Sequence, residues 1–210
     1  MNDNYDINKL RVQQFGLTTT IKDDSGQEHY FYRGHEYVEI DGIKWAVTNV
    51  GAEKETDGGL YFAFGETQGY TDSQVLSGER KFNENEYTDV NFDSVNVYWG
   101  GKWRLSTEEE IYNLLTATTH KWVENYQDSG VNGILFTDKI DSSKKLFFPS
   151  AGHYFNGFIY DVGSVGYYWS SSLSTDGVTR GMDFNFDDTH PYMDYDSCYL
   201  GFSVRGVVGD

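Results

Sequence analysis

Ser106-Thr107-Glu108-Glu109-Glu110-Ile111-Tyr112-Asn113-Leu114-Leu115 is the stretch on which the fold class turns, because it carries the one helical signature in an otherwise strand-like chain. Ser106 followed three residues later by Glu109 reads as a capping box. The hydroxyl would accept from a backbone N–H of the first turn, and the carboxylate would reach back to the N–H of the cap. Ile111, Leu114, Leu115 and Thr118 then share one buried stripe. Glu108, Glu109 and Glu110 lie where the positive end of the helix dipole favours carboxylates, so they read as structural rather than catalytic.

Upstream of this helix the patterning is that of strands. Residues 16–22 and 28–32 flank Asp23-Asp24-Ser25-Gly26 as a hairpin would. Residues 36–50 alternate around a tight turn at Asp41-Gly42, with Val38 and Ile40 before it and Ile43, Trp45 and Val47 after it. Residues 56–59 break the pattern and 60–64 resume it. Downstream, short apolar segments at 134–136 and 146–148 give way to Gly-rich turns and β-like pieces ending in Phe202-Ser203-Val204-Arg205. The pattern predicts an α+β fold with few helices, many short irregular strands and long loops in the last third. No repeat, linker or low-complexity run divides the chain. Residues 1–35 are expected to form a polar arm and a hairpin packed on one main domain, 36–210.

Composition narrows the function classes. With 210 residues, 38% of them hydrophobic and 17% aromatic, the chain can fill one core. Its formal net charge of -17 would repel nucleic-acid phosphate and anionic lipid, so neither is an expected partner. No apolar stretch approaches a membrane span, and membrane insertion is not expected. Met1-Asn2-Asp3-Asn4-Tyr5-Asp6 lacks the basic start and apolar run of a secretory leader. A single cysteine, Cys198, excludes an internal disulfide and a Cys-rich metal cluster.

The vocabulary of the chain changes at residue 146. The 65 residues from there to the end contain no Lys, Glu or Gln, whereas the preceding 145 contain 29. Tyr, Phe, Asp, Ser, Gly, His and Thr fill the space instead. Rigid aromatics mixed with short polar groups suit a recognition surface. Depletion of Glu and Lys in strands accounts for part of the bias.

Six peptides occur in a telling order: Lys44-Trp45-Ala46 leading to Asn49-Val50-Gly51-Ala52; Tyr61-Phe62-Ala63-Phe64-Gly65-Glu66; Gly101-Lys102-Trp103-Arg104-Leu105-Ser106-Thr107; Phe147-Phe148-Pro149-Ser150-Ala151-Gly152; Gly166-Tyr167-Tyr168-Trp169-Ser170-Ser171-Ser172; and Gly201-Phe202-Ser203-Val204-Arg205. Over residues 36–208 they resemble a C-type-lectin-like domain of the formylglycine-generating-enzyme subtype, found in gut-bacterial surface proteins and in variable proteins of diversity-generating retroelements. Ser106 and Gly206 stand where that family usually has Pro. The resemblance implies a C-type lectin-like fold with a variable region at about residues 150–200.

In such variable proteins, adenines in the coding repeat are replaced at random. Favoured Asn codons become Asp, Tyr, His, Ser, Thr, Cys, Gly, Phe, Ile or Pro among others, but never Lys, Glu, Gln, Met or Trp. Residues 153–161 hold no excluded residue, and residues 187–200 hold only Met193. The resemblance thus implies a ligand-binding set: His153, Tyr154, Phe155, Phe158, Tyr160, Asp161, Asp187, Asp188, Thr189, His190, Tyr192, Asp194, Tyr195, Asp196, Ser197, Cys198 and Tyr199. Their side chains are expected to be mainly exposed and to converge on one face. Trp169, Phe202 and Val204 are assigned to the core, and Arg205 to ordering a loop through charge-assisted bonds.

Other chemistries have weaker support. Formylglycine generation needs reactive cysteines in the plural, and this chain has one. No nucleophile elbow accompanies His153 or His190 to suggest a hydrolase. The calcium-lectin proline flanked by carboxylate or amide side chains is missing, since Pro149 lies between Phe148 and Ser150 and Pro191 between His190 and Tyr192. The acidic pairs Asp187-Asp188 and Asp194-Tyr195-Asp196 lack EF-hand spacing. The expectation is therefore a non-enzymatic binding protein without cofactor, metal or catalytic residues, of either monomeric or oligomeric state. A phage receptor-binding protein in the virion, with a bacterial surface protein or glycan as partner, is the first reading. An undiversified bacterial surface adhesin or glycan-binding module is the second, and an enzyme of the formylglycine-generating fold the remote third.

Overall fold

Asp41 and Gly42 both take positive φ, 49° and 77°. This is the mirror-image turn whose twist matches that of paired strands. It joins β3 (His35–Ile40) to β4 (Ile43–Asn49) with Ile40 opposite Ile43. The structure, a computed structural model, describes residues 18–86, 92–174 and 179–209. β1 (Thr18–Lys22) and β2 (Glu28–Tyr32) form the expected hairpin, whose turn is held by Asp23 Oδ1 accepting from the N–H groups of Ser25 and Gln27. Because β2 also pairs with β3, the hairpin is continuous with the main sheet. The proposed arm lies outside the described residues.

The remaining elements follow in chain order. α1 (Asp72–Leu76) and α2 (Ser94–Trp99) are short, and β5 (Trp103–Leu105) leads to α3 (Glu108–Ala117). β6 (Thr118–Val123), β7 (Gly133–Asp138) and β8 (Lys145–Pro149) form a three-stranded sheet, and β9 (His153–Phe155) and β10 (Phe158–Tyr160) a small hairpin. β11 (Gly166–Leu173), β12 (Arg180–Phe186), β13 (Pro191–Ser197) and β14 (Ser203–Val208) complete the chain. The main sheet runs β1-β2-β3-β4-β14-β11-β12-β13, with β5 also paired to β14. β14 is its axis: antiparallel to β4 and β5, parallel to β11.

Neighbouring residues of the central strands enter different cores, as a sheet covered on both faces requires. Trp45, Tyr168, Phe184 and Val207 pack with Ile111 and Leu114 of α3 and with Phe136 and Phe148 of the three-stranded sheet. Ala46, Trp169 and Val204 pack on the other side with Trp99, Trp103, Phe62, Phe64 and Phe202. A third cluster, Tyr61, Val75, Phe82 and Tyr154, seats the β9–β10 hairpin.

Arg205 crosses this framework. Fully buried, it donates from Nε to Asn49 Oδ1 at 2.7 Å, from Nη1 to the carbonyls of Ala46 and Val47, and from Nη2 to Phe147 O at 3.1 Å, with its guanidinium over the Phe148 ring. It therefore ties β14 to β4 and β8, a wider role than ordering one loop.

Two expectations are overturned. Strand accounts for 45% and helix for 13%, in three helices among the described residues, so the fold is β-rich. The α+β, C-type-lectin-like architecture with long C-terminal loops is replaced by this β-rich arrangement. α3 starts one residue later than its sequence suggests, with Thr107 as the cap and Glu110 completing the box, and Thr118 passes directly into β6. The last third is built of strands, not loops. Its strand signal is masked because β12 is buried on both faces, with Met182, Phe184 and Phe186 on one and Gly181, Asp183 and Asn185 on the other. Polar residues at alternate positions resemble a loop when their burial is unknown.

Candidate binding face

Residues opposite one another in register share a face of the sheet. On β11, β12 and β13 one face carries Tyr167, Asn185 and Tyr192 in one row and Trp169, Asp183 and Asp194 in the next, followed by Gly181 with Asp196. Phe64 lies against Trp169 at 5.4 Å between ring centroids, and a Cβ on Gly181 would collide with the same ring. The Trp169 end of this face is therefore core, whereas Tyr167, Tyr192 and Asp196 are half-buried and Asp194 is exposed.

The β9–β10 hairpin adjoins it. His153, Phe155, Phe158 and Tyr160 share its outer side. Tyr160 stacks on His153 at 5.3 Å, His153 meets Tyr167 at 4.7 Å, Tyr167 meets Phe202 at 5.1 Å and Phe202 stacks on Trp169 at 4.2 Å. A chain of rings thus runs from solvent to core, which holds the hairpin at a fixed place beside the sheet. Tyr167 Oη donates to Asp161 Oδ2 at 3.2 Å, joining the hairpin's end to β11. Phe155 also reaches Tyr199, at 6.0 Å.

The expected site residues divide accordingly. His153, Phe155, Phe158, Tyr160 and Asp161 come together on and beside the hairpin, with Tyr192, Asp194 and Asp196 on the adjoining sheet face. Asp187, Asp188, Thr189 and His190 form the β12–β13 connection, in which Asp187 Oδ1 accepts from Thr189 N, Thr189 Oγ1 and His190 N; His190 packs on Tyr192 at 5.3 Å. Those bonds, led by the Thr189 hydroxyl, hold the Asp187 carboxyl below its ordinary range. Tyr199 is half-buried.

Four of the expected residues do not belong on this face. Tyr154 is fully buried with its hydroxyl donating to Asp72 Oδ1 at 2.8 Å, because it occupies the inner side of β9. Cys198 is buried among Phe64, Trp169 and Phe202. Tyr195 and Ser197 alternate to the opposite face of β13 from Asp194, as strand periodicity demands once the segment is a strand. The expectation of one exposed, convergent set is corrected to this extent.

Tyr167, Asp183 and Asn185 were missed. Their signal was the alternation in Met182-Asp183-Phe184-Asn185-Phe186, which is that of a strand with one polar face. Asp183 is fully buried, and neither carboxylate oxygen nor Asn185 Oδ1 has a hydrogen-bond partner. Burial first, then the charges of Asp196 and Asp194, push the Asp183 carboxyl up to about 8; the nearby Asn185 side chain and Asp196 backbone offset little of this. Asp183 is therefore largely protonated at neutral pH. Burial and Asp194 raise Asp196 as well, with Arg180 opposing. Burial keeps the His153 imidazole below its ordinary value, against the pull of Asp161.

Elsewhere a polar cleft of about 460 Å³ opens between the 57–59 turn and α1, lined by Asp57, Gly58, Tyr61, Thr71 and Asp72. The sequence marked 56–59 only as a break in strand patterning.

Among the described residues no three His, Cys, Asp or Glu side chains are grouped as metal ligands require. Melting temperature is therefore expected to be the same with and without EDTA, and a marked drop on chelation would expose a metal site. Comparison with family models, curated proteins and solved structures found no match to this chain.

Proposed function

We propose that this chain is a non-enzymatic binding protein whose outer β9–β10 surface and adjoining face of β11–β13 recognise a receptor on a bacterial surface, with the surface diversified by a retroelement and carried in a phage virion. The observation that carries this reading is the placement of the aromatics. Phe158 and Tyr160 are 63% and 43% exposed on the outer side of the hairpin, where Phe158 pairs with Phe155 and Tyr160 stacks on His153, which in turn meets Tyr167. Large rings held in place at solvent offer contact area with little entropy to lose on binding. No helix among the described residues is long and apolar enough to cross a membrane.

One finding favours the second reading, an undiversified bacterial surface adhesin. Tyr154 and Cys198 both belong to the adenine-reachable set but lie in the core, where random replacement would damage the fold.

The test is binding of the fluorescently labelled chain to a panel of gut-bacterial cells. A strain that binds the chain should lose about tenfold or more of its affinity when Phe158→Ser and Tyr160→Ser are combined, as aromatic hot-spot residues do. Tyr112→Ser with Ile140→Ser, also exposed but on α3 and in the β7–β8 connection, should change it little. Equal losses from the two pairs would remove the hairpin from the binding surface.

A further inference from the structure

We propose that the acidic row of Asp194 and Asp196 over the buried Asp183, on the sheet face that also carries Tyr167 and Tyr192, receives an arginine or lysine side chain presented by a protein ligand. The inference rests on the binding face proposed above and names the chemistry of what that face grips. Asp194 lies directly across from Asp183 on β13, and Asp196 shares the same face one pair further on. Solvated carboxylates on a surface would mean little by themselves.

Asp183 makes the difference. It has no solvent exposure, both its oxygens lack a donor, and Asn185 Oδ1 beside it on the same face is equally without one. A buried acceptor left unpaired keeps the full penalty of its lost hydration. Here such acceptors occur together, at the inner end of an acidic row. No Lys, Arg or His among the described residues forms an ion pair with Asp183, Asp194 or Asp196.

A guanidinium supplies five donors and a positive charge, and an ammonium three. Either would pair the orphaned acceptors and neutralise carboxylates that otherwise oppose one another. Aromatic rings at the rim favour the same ligand, since a cation is attracted to the face of a tyrosine. The net charge of -17 draws cationic partners and repels phosphorylated or acidic ones. A hard metal ion suits this row less well, because these carboxylates are not grouped as ligands.

The groups that bear on Asp183 are Asp194, Asp196 and Tyr192 of β13, Arg180 and Asn185 of β12, and Tyr167 and Trp169 of β11. At neutral pH a cation paired with these carboxylates would drive the Asp183 proton into solvent. Proton release is thus a signature that diffuse attraction to an acidic protein would lack.

The experiment is calorimetric titration of the full chain at pH 7 with the peptide Gly-Arg-Gly-Arg-Gly and with its citrulline counterpart, in two buffers of different ionisation enthalpy. The arginine peptide is expected to bind at least about tenfold more tightly than the uncharged one. Combined Asp194→Asn and Asp196→Asn should abolish that preference. Glu109→Gln with Glu124→Gln, which remove the same charge at distant exposed positions, should preserve it. Asp183→Asn should eliminate the buffer dependence of the heat.

Equal binding of the two peptides, binding of neither, or equal losses from the near and distant charge pairs would overturn the proposal. A panel of neutral oligosaccharides tested in parallel separates this failure from failure of the binding face. A glycan whose binding is lost with Phe158→Ser and Tyr160→Ser but kept with Asp194→Asn and Asp196→Asn would leave the face standing and refute the cation.

Discussion

Asp183→Asn should stabilise the fold markedly at pH 8 and leave it little changed at pH 4. In the unfolded chain this carboxyl ionises near 3.8, whereas in the fold it does so at about 8. Below pH 4 it is protonated in both states and contributes nothing. Between those values the folded state binds the proton and the unfolded state does not, so stability falls as pH rises. Above pH 8 the penalty is complete. At about 1.4 kcal/mol per unit the full loss is about 6 kcal/mol.

Asparagine has nearly the same shape, is never charged, and presents an amide to Asp194 and Asp196. Groups such as Asp187 and Glu110, whose folded values are depressed, contribute stability above their unfolded values and lose it as pH falls. They are common to both chains and cancel in the difference. Denaturant melts of the two chains at pH 4, 6 and 8 should therefore diverge steadily, and a constant difference would show that Asp183 is not held neutral. A native residue that weakens its own fold at neutral pH accords with a site shaped for binding.

Trp169→Ala and Tyr154→Ala should each cost about 3–5 kcal/mol. Trp169 donates from Nε1 to Phe62 O at 2.8 Å and is enclosed by Phe64 and Phe202, so truncation opens a cavity and strands a carbonyl. Tyr154 meets Tyr61 edge-on at 4.5 Å and holds Asp72 through its hydroxyl. By contrast Phe158→Ser and Tyr160→Ser, on the outer side of the same hairpin, should each stay within about 0.5 kcal/mol. Urea denaturation of the four variants reads this directly. A small loss for Tyr154→Ala would return that residue to the surface, and large losses for the outer pair would place them in the core.

What the sequence made legible was local. The Asp41-Gly42 turn needs two positive φ angles, and Asp-Gly is among the pairs that tolerate them, so the β3–β4 hairpin could be read in advance. The first hairpin and the buried stripe of α3 rest on equally local rules. Trp169, Phe202 and Val204, assigned to the core as part of the framework between the variable stretches, lie there.

The illegible part was long-range. β14 is parallel to β11 and antiparallel to β4 and β5, and this arrangement decides that β12 is covered on both faces. Without it, Asp183 and Asn185 read as loop polarity and Tyr154 as an exposed ring. A composition bias identified the region of the candidate site, but only the two-residue period of β9 and β13 sorts inner residues from outer ones. Tyr154 and Tyr195 were misplaced for that reason.

The most direct test of a diversified binding face is to sequence the coding segment for residues 146–200 in many cells or phage from one population, together with its flanking DNA. The proposal predicts a near-copy of the segment differing at adenines beside a reverse transcriptase gene. It also predicts substitutions concentrated at outer positions such as 155, 158, 160, 188, 190, 192 and 194, with Trp169, Phe184 and Phe186 unchanged. A single invariant sequence without a neighbouring copy, or substitutions spread equally over buried and exposed positions, would contradict it.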